Sequence, residues 1–202
     1  MQDVPYWLEV DTRPYMRARH GLGLSLMQLH RYEEAVREFE ILMDLNSNDN
    51  QGVRYLLGDV YHFTGNLEKA EQCYREYEEV DSLYGHALLL NFLGKEATAT
   101  GMLVKCTKDA PFIAHTLSLY LIKFDFWNER GMFKYGDLPP LLLHRNAMIA
   151  AWNEMLPKVT DRQKYYDFES AYQYCSLNAP LWLKYEGSPL FLQKTMDAAG
   201  AS

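Results

Sequence analysis

The sequence predicts an all-α protein. Two stretches in the first half repeat at one fixed spacing, apolar residues recur at helical intervals, and the strict alternation of β-strands is scarce. Of the 202 residues, 48% are hydrophobic and 23% are charged, a balance typical of globular chains and not of disordered ones. We therefore expect packed helical hairpins.

The main signal is an internal repeat. Residues 21–49 align with residues 56–82, so that Gly23 meets Gly58 and Ala35 meets Ala70, both at an offset of 35 positions. Small residues let two helix backbones approach where they cross, and larger side chains would overpack the crossing. One shared offset favours two copies of one hairpin over two unrelated hairpins. The other aligned pairs are Leu22 and Leu57, Leu26 and Tyr61, and Phe39 and Tyr74.

Turn and capping signals divide each copy into two helices. The tracts HRYEE (30–34) and TGNLE (64–68) combine a turn with an acidic first helical turn, which suits the positive end of the helix dipole. The tract NSNDNQG (46–52) carries Asn and Asp residues that can cap the next helix.

A third unit, shorter than the first two, follows. Its pattern predicts helices near 83–93 and 95–108, then a well-buried helix with Pro111 in its first turn. The residues that fit the repeat are Ala87 at the glycine place, Gly94 at the turn, Ala99 at the crossing and Pro111 at the end.

The C-terminal part departs from the repeat. After a stretch with two glycines and two prolines (128–140), the pattern predicts a helix over 141–156, a short helix from Asp167, and a last helical stretch over 179–196 interrupted near Gly187. The predicted organisation is an N-terminal extension (1–11), helical repeats (12–126), a connection (127–137), a C-terminal helical cap (138–196) and a disordered tail (197–202).

The repeated pattern resembles the tetratricopeptide repeat, whose signature is L-G-x2-Y, A-x3-F and a late proline. This resemblance implies a short right-handed stack of helical hairpins, capped here by the non-consensus C-terminal helices. The matching residues are Leu22, Gly23, Ala35 and Phe39 in the first copy and Leu57, Gly58, Tyr61 and Ala70 in the second. The departures are Arg19 and Arg54 at the usual tryptophan and Ser47 and Ser82 at the usual proline.

A longer stretch resembles one branch of that family. Residues 12–58 carry an RPYMRA opening and an NDNQG-x-RYLL link, as in bacterial tetratricopeptide proteins, fungal proteins that also bear MYND zinc fingers, and suppressor-of-tumorigenicity repeat proteins. His30 replaces the turn glycine of the branch, and Ser47 its proline. The MYND finger is absent, because three scattered cysteines cannot supply its ligands. The resemblance implies an interaction domain and no reaction.

The resemblance also implies where a partner binds. The first helices of stacked hairpins line a concave groove, and a mixture of aromatic and polar side chains there suits a peptide or a helix. The alternative is that the C-terminal helices fold back and fill the groove. The predicted groove residues are Arg17, His20, Leu24, Met27, Gln28, Gln51, Tyr55, Asp59, His62, Phe63, Tyr84 and Phe92.

We expect a protein–protein interaction module, either a free adaptor or a subunit of a larger assembly, and not an enzyme. Receptors of chaperone tails within the family hold a carboxylate with a Lys/Asn/Lys/Arg set, where this chain has His20, Leu24, Tyr55 and Asp59. Because Asp59 would repel a carboxylate, an Hsp90 or Hsp70 tail is not the expected ligand.

Two other functions remain as alternatives, an enzyme or an RNA-binding helical-repeat protein that uses His20, Asp59 and His62 in the groove. The sequence has no HExxH motif, no His/Cys pair at metal spacing and no Gly-rich phosphate loop, so we expect no cofactor and no metal. The net charge of −7 argues against nucleic acid and anionic membranes as partners.

Two charged sets each have two interpretations. Arg13, Arg17, Arg19 and Arg54 either pair with the many glutamates or hold an acidic or phosphorylated peptide. Residues 66–82 carry six acidic and two basic side chains. They form either a solvated helix face or an electrostatic contact with a basic protein.

The cysteines and the N-terminal residues indicate an intracellular protein, cytoplasmic or nuclear. Cys73, Cys106 and Cys175 give no disulfide framework, so we expect free thiols that behave as small buried apolar side chains. The first 14 residues have no cationic start and no apolar run, and no stretch reaches the roughly 18 apolar residues of a membrane helix, so we expect no membrane insertion.

Overall fold

A computed structural model of the chain describes residues 6–76, 80–129 and 168–201. Within these ranges the regular structure is helical throughout, with no strand, which confirms the all-α prediction. Two 3-10 turns, Tyr6–Leu8 and Val10–Thr12, come first. The α-helices are α1 (Arg13–Gln28), α2 (Tyr32–Leu45), α3 (Val53–Thr64), α4 (Leu67–Glu76), α5 (Val80–Phe92), α6 (Glu96–Asp109), α7 (Pro111–Glu129), α8 (Phe168–Leu183) and α9 (Ser188–Ala199).

The chain divides into two compact units, 1–85 and 86–202, with the division inside α5. In unit 1, α1 packs on α2, α2 on α3 and α3 on α4, as two consecutive hairpins. The predicted helix over 141–156 and most of the predicted connection lie outside the described residues. The predicted domain boundaries stay predictions.

Two glycines set the helix crossings of unit 1. A Cβ added at Gly23 would overlap the ring of Phe39, and one added at Gly58 would lie 2.7 Å from the ring of Tyr74. Ala35 and Ala70 are fully buried. These contacts confirm that the small residues occupy the crossings, where an added side chain would push the two helices apart.

The turns inside the hairpins have left-handed backbone. Gly65 ends α3 with φ 80° and Gly94 follows α5 with φ 76°, so both predicted glycine turns are confirmed. His30 takes the corresponding conformation between α1 and α2, with φ 58°. That conformation costs a non-glycine residue about 1–2 kcal/mol, so the first turn is the more strained one.

The link between the hairpins is organised by one carboxylate. Asp49, with φ 47°, accepts hydrogen bonds at 2.8 Å from the backbone N–H groups of Val53 and Arg54 and from Nε of Arg54. Its side chain is 1% exposed. Gly52 follows with φ 71°. Asp49 therefore caps α3 from four residues upstream, which gives a physical reason for an Asp and a Gly before RYLL.

Unit 2 confirms α6 and α7 and corrects the end of the chain. In this unit α7 packs on α8, and α9 packs on α6 and α7. The sequence predicted a break between residues 178 and 179, but α8 continues through Pro180. An internal proline costs about 3 kcal/mol, and Leu181 and Trp182 beyond it are fully buried, which offsets that cost. The predicted interruption at Gly187, with φ 83°, is confirmed.

Candidate binding surface

The accessible aromatic side chains of α3 lie at its two ends. Tyr55 is 39% exposed and packs over Gly52. Phe63 is half-buried, and its ring is stacked on that of Tyr32 with centroids 3.9 Å apart and planes 5° apart. The neighbouring His30 Nδ1 and Tyr32 hydroxyl are hydrogen-bonded at 2.7 Å. Phe63 is thus held in position by the first hairpin.

Asp59 and His62, predicted to face the groove, are buried instead. Asp59 is 5% exposed and accepts a hydrogen bond of 2.7 Å from the hydroxyl of Tyr74, and His62 is 0% exposed. The Tyr74 hydroxyl lies 3.4 Å from Nδ1 of His62. Only part of the predicted groove face of α3 is exposed to solvent, because α4 covers the side of the helix that carries Asp59 and His62.

Gly85 completes this buried polar cluster, and the sequence interpretation missed it. A Cβ at Gly85 would lie 2.6 Å from the hydroxyl of Tyr74 and 2.8 Å from Oδ1 of Asp59. The start of α5 can approach the cluster only because this residue has no side chain. No aligned glycine marks the position, since the register placed Ala87 at the glycine place of the third unit.

The α1 members of the predicted groove are divided between surface and interior. Arg17 and Gln28 are exposed, and Leu24 is half-buried. His20 is half-buried beside the ring of Phe39, and burial lowers the pKa of its imidazole. Met27 is 2% exposed and belongs to the core, because it lies on the side of α1 that packs in the unit.

Three further members of the predicted groove lie just before α3 and on α5. Gln51 is half-buried, and its side-chain N–H donates to the carbonyl of Met16 at 3.3 Å. Tyr84, in unit 1, is fully buried, whereas Phe92, in unit 2, is 52% exposed and packs against Tyr185. Met27, Asp59, His62 and Tyr84 are therefore corrected from surface to interior. The binding role of the other members stays a prediction.

The arginines show how the basic set is used. Arg19 pairs with Glu38 of α2 and lies over the ring of Tyr15, and Arg54 pairs with Asp49. Pairing with acidic side chains is thus confirmed for Arg19 and Arg54. The two equivalent arginines use different partners, a helix neighbour in one hairpin and the helix cap in the other. Arg17, by contrast, is exposed on α1.

The burial predicted for the three cysteines is confirmed for Cys106 and Cys175 and is only partial for Cys73. Cys106 and Cys175 are buried and Cys73 is half-buried, all as free thiols. Burial raises the pKa of Cys73 to about 11, which makes its thiolate scarce at neutral pH. Among the described residues, no three His, Cys, Asp or Glu side chains are grouped to hold a metal ion. No helix in the described ranges is both long and apolar enough to cross a membrane.

Comparison with known proteins identifies the second hairpin. Residues 52–82 match the family model of the tetratricopeptide repeat, and this range contains α3 and α4. No curated protein and no solved structure matches the chain. The finer resemblance to one branch of the family stays a prediction. The chain thus carries a tetratricopeptide repeat at residues 52–82 within an all-α fold that fits a helical-repeat stack.

Proposed function

We propose that this protein is an interaction module, an adaptor or a subunit of a larger assembly, that recognises a peptide or a helix through the first helices of its hairpins. The tetratricopeptide repeat indicates binding to other proteins. The proposed contact surface, named the α1–α3 strip, consists of Leu24 and Gln28 on α1 and Tyr55 and Phe63 on α3.

The observation that carries the proposal is the pair of accessible aromatic side chains on α3, Tyr55 exposed and Phe63 half-buried. Tyr55 keeps 39% of its surface in solvent although it lies on a helix that is otherwise largely buried. Phe63 is stacked on Tyr32 and needs little further ordering when a partner binds. Aromatic side chains ordered in this way are the usual anchors of a protein interface.

The chemistry of the α1–α3 strip favours an apolar anchor on the partner. Leu24 and Gln28 lie one turn apart on α1 and add an aliphatic and an amide group. The strip itself has no charge, and Arg17 is the exposed cation nearest to it along α1. A single arginine does not reproduce the multi-residue clamp that holds a chaperone tail, so an Hsp90 or Hsp70 carboxylate is not the proposed ligand.

Enzyme activity and RNA binding are not part of the proposal. Both alternatives required Asp59 and His62 on an open surface, and these side chains are 5% and 0% exposed. His20 is only half-buried, but it would have to act without the other two groups.

Affinity purification followed by quantitative mass spectrometry tests the proposal. The Tyr55→Ala/Phe63→Ala variant removes both aromatic anchors. We expect it to weaken binding of the principal partner by about 30-fold or more, because even one such anchor contributes about 2 kcal/mol to binding. The matched control is Leu22→Ala/Leu29→Ala, two exposed apolar residues outside the strip. Leu22 lies on the side of α1 away from Leu24 and Leu29 directly follows the helix, and they are 47% and 64% exposed.

The control variant should capture the partner as the wild type does. Circular dichroism and the melting temperature show whether the aromatic variant is still folded. A folded aromatic variant with full capture would contradict the proposal, and the binding surface would then lie elsewhere. If that variant unfolds, the capture experiment is repeated with Tyr55→Ala alone, since Tyr55 is exposed and contributes less to packing than Phe63 does. Full capture by this folded single variant would contradict the proposal.

A further inference from the structure

A cleft of about 410 Å³ opens in unit 1 on the other side of α3. At about 100° per residue, Leu57 lies nearly opposite Tyr55 around α3, and Tyr61 lies about 120° from it, so both point away from Tyr55. The cleft is therefore distinct from the α1–α3 strip. Its lining residues are Glu40, Met43 and Asp44 of α2, Leu57 and Tyr61 of α3, and Lys69, Gln72, Cys73 and Glu76 of α4.

The cleft has an apolar floor and a charged rim. Leu57 and Tyr61 are 6% and 7% exposed and form the floor, with the half-buried Met43 beside them. Asp44 and Glu76 are exposed at the rim on α2 and α4. A volume of this size is at the small end of ligand pockets, so it suits a side chain and not a whole helix.

The rim is acidic, and one of its carboxylates is fixed in place. Glu40 accepts a hydrogen bond of 2.7 Å from the Tyr61 hydroxyl and one of 2.9 Å from Nζ of Lys69. Both hydrogen bonds, the one from Tyr61 first, hold the pKa of Glu40 below its usual value, so the side chain is ionised. Lys69 is therefore already engaged.

Asp44 and Glu76 leave the cleft with an excess of negative charge. No described residue forms an ion pair with Asp44, and Glu76 accepts only an amide hydrogen bond, from Gln72 at 2.9 Å. The lining holds three carboxylates and one ammonium group. This balance repels phosphate and carboxylate groups and attracts a cation.

We propose that the cleft binds an arginine side chain of a protein partner. The aliphatic stem of arginine would cover Met43 and Leu57, and its planar guanidinium would lie between the carboxylates of Asp44 and Glu76. A lysine ammonium is more strongly hydrated and lacks the planar fork that can donate to two carboxylates at once. The cleft is a second contact surface, so this inference does not depend on the α1–α3 strip.

Titration of the isotope-labelled full chain with the blocked tripeptide acetyl-Gly-Arg-Gly-amide, followed by NMR, tests the inference. We expect backbone amide shifts centred on residues 40–44 and 69–76. The same peptide with citrulline, which has nearly the shape of arginine but no charge, should leave these amides unshifted. A wild-type protein without shifts at the cleft would overturn the inference, and so would equal shifts with citrulline.

Paired variants separate the cleft from general charge attraction. Asp44→Asn/Glu76→Gln should weaken arginine-peptide binding about fivefold, since exposed charge pairs contribute modestly. Glu33→Gln/Glu96→Gln removes the same charge from exposed positions outside the cleft and should leave binding unchanged. Equal weakening by both variants would overturn the inference.

Failure of this inference is distinguishable from failure of the proposed function. The Tyr55→Ala/Phe63→Ala variant should still bind the arginine peptide, because neither ring lines the cleft. The cleft variant should keep every contact that a partner makes through the α1–α3 strip alone.

Discussion

The two hairpins of unit 1 share one crossing and complete it differently. In both, a glycine on the first helix receives an aromatic ring from the second, Phe39 at Gly23 and Tyr74 at Gly58. Only the second ring carries a hydroxyl, which donates to the buried carboxylate of Asp59. The aligned position 24 holds Leu24, which is half-buried and needs no such donor.

The hairpins also differ at their entries and turns. The first begins at Arg13, with Pro14 in its first turn and no side-chain cap, and turns at His30. The second is capped by Asp49 and turns at Gly65. The family model detects only the second. Both hairpins share the glycine, the alanine and the aromatic ring of the crossing, whereas the glycine turn and the buried polar contacts distinguish the second copy.

The largest expected effect is at the shared crossing. Gly58→Leu places a branched side chain against the ring of Tyr74 and should destabilise the protein by about 3 kcal/mol. Gly23→Leu should cost a similar amount, because Phe39 is equally buried. Chemical denaturation measures both. An unchanged midpoint for either variant would show that the crossing is misplaced in that hairpin.

The entry to the second hairpin should give the next largest effect. Asp49→Ala removes the acceptor for two backbone N–H groups of α3 and for Arg54, at an expected cost of about 2–3 kcal/mol. Asp44→Ala, an exposed neighbour, is the control and should change stability by less than about 0.5 kcal/mol. If the two variants were equally stable, Asp49 would not stabilise the start of α3.

The hydroxyl that distinguishes the two crossings can be removed from the second crossing and added to the first by single substitutions. Tyr74→Phe removes the donor to Asp59 and should cost about 1–2 kcal/mol. Phe39→Tyr adds a hydroxyl to a fully buried ring and should also destabilise the protein. Melting temperatures of the two single variants measure the asymmetry. A Tyr74→Phe variant as stable as the wild type would show that the hydroxyl contributes nothing to the second hairpin.

The smallest effects are expected at the turns. His30→Gly relieves the left-handed backbone and should stabilise the protein by no more than about 0.5 kcal/mol, because the added entropy of the unfolded chain and the loss of the exposed hydrogen bond to Tyr32 offset most of the gain. Gly65→Ala, with φ 80°, should destabilise it by about 1 kcal/mol. If the two changes shifted the melting temperature in the same direction, the two turns would not be equivalent.

The fold was predictable because its signals are local or repeat at one offset. The glycine and alanine crossings, the turns at Gly65 and Gly94 and the start of α7 all follow from residue type and spacing. The continuation of α8 through Pro180 was not predictable, since burial of Trp182 overrides a local helix breaker.

The candidate surface was only partly predictable. Helical periodicity places Tyr55, Asp59 and Phe63 on one side of α3, but it does not show how much of that side a neighbouring helix covers. The hydroxyl that donates to Asp59 belongs to Tyr74, 15 residues away. Gly85 was missed for the same reason, because its role depends on side chains from two other helices.

The equivalence of the two crossings is tested most directly by double-mutant cycles. Gly23→Ala with Phe39→Leu, and Gly58→Ala with Tyr74→Leu, should each show a coupling of about 1 kcal/mol or more, because the smaller side chain makes room for the added Cβ. The crossed pair, Gly23→Ala with Tyr74→Leu, should be additive within about 0.5 kcal/mol. Additive effects within either hairpin would show that its glycine and its aromatic ring are not in direct contact.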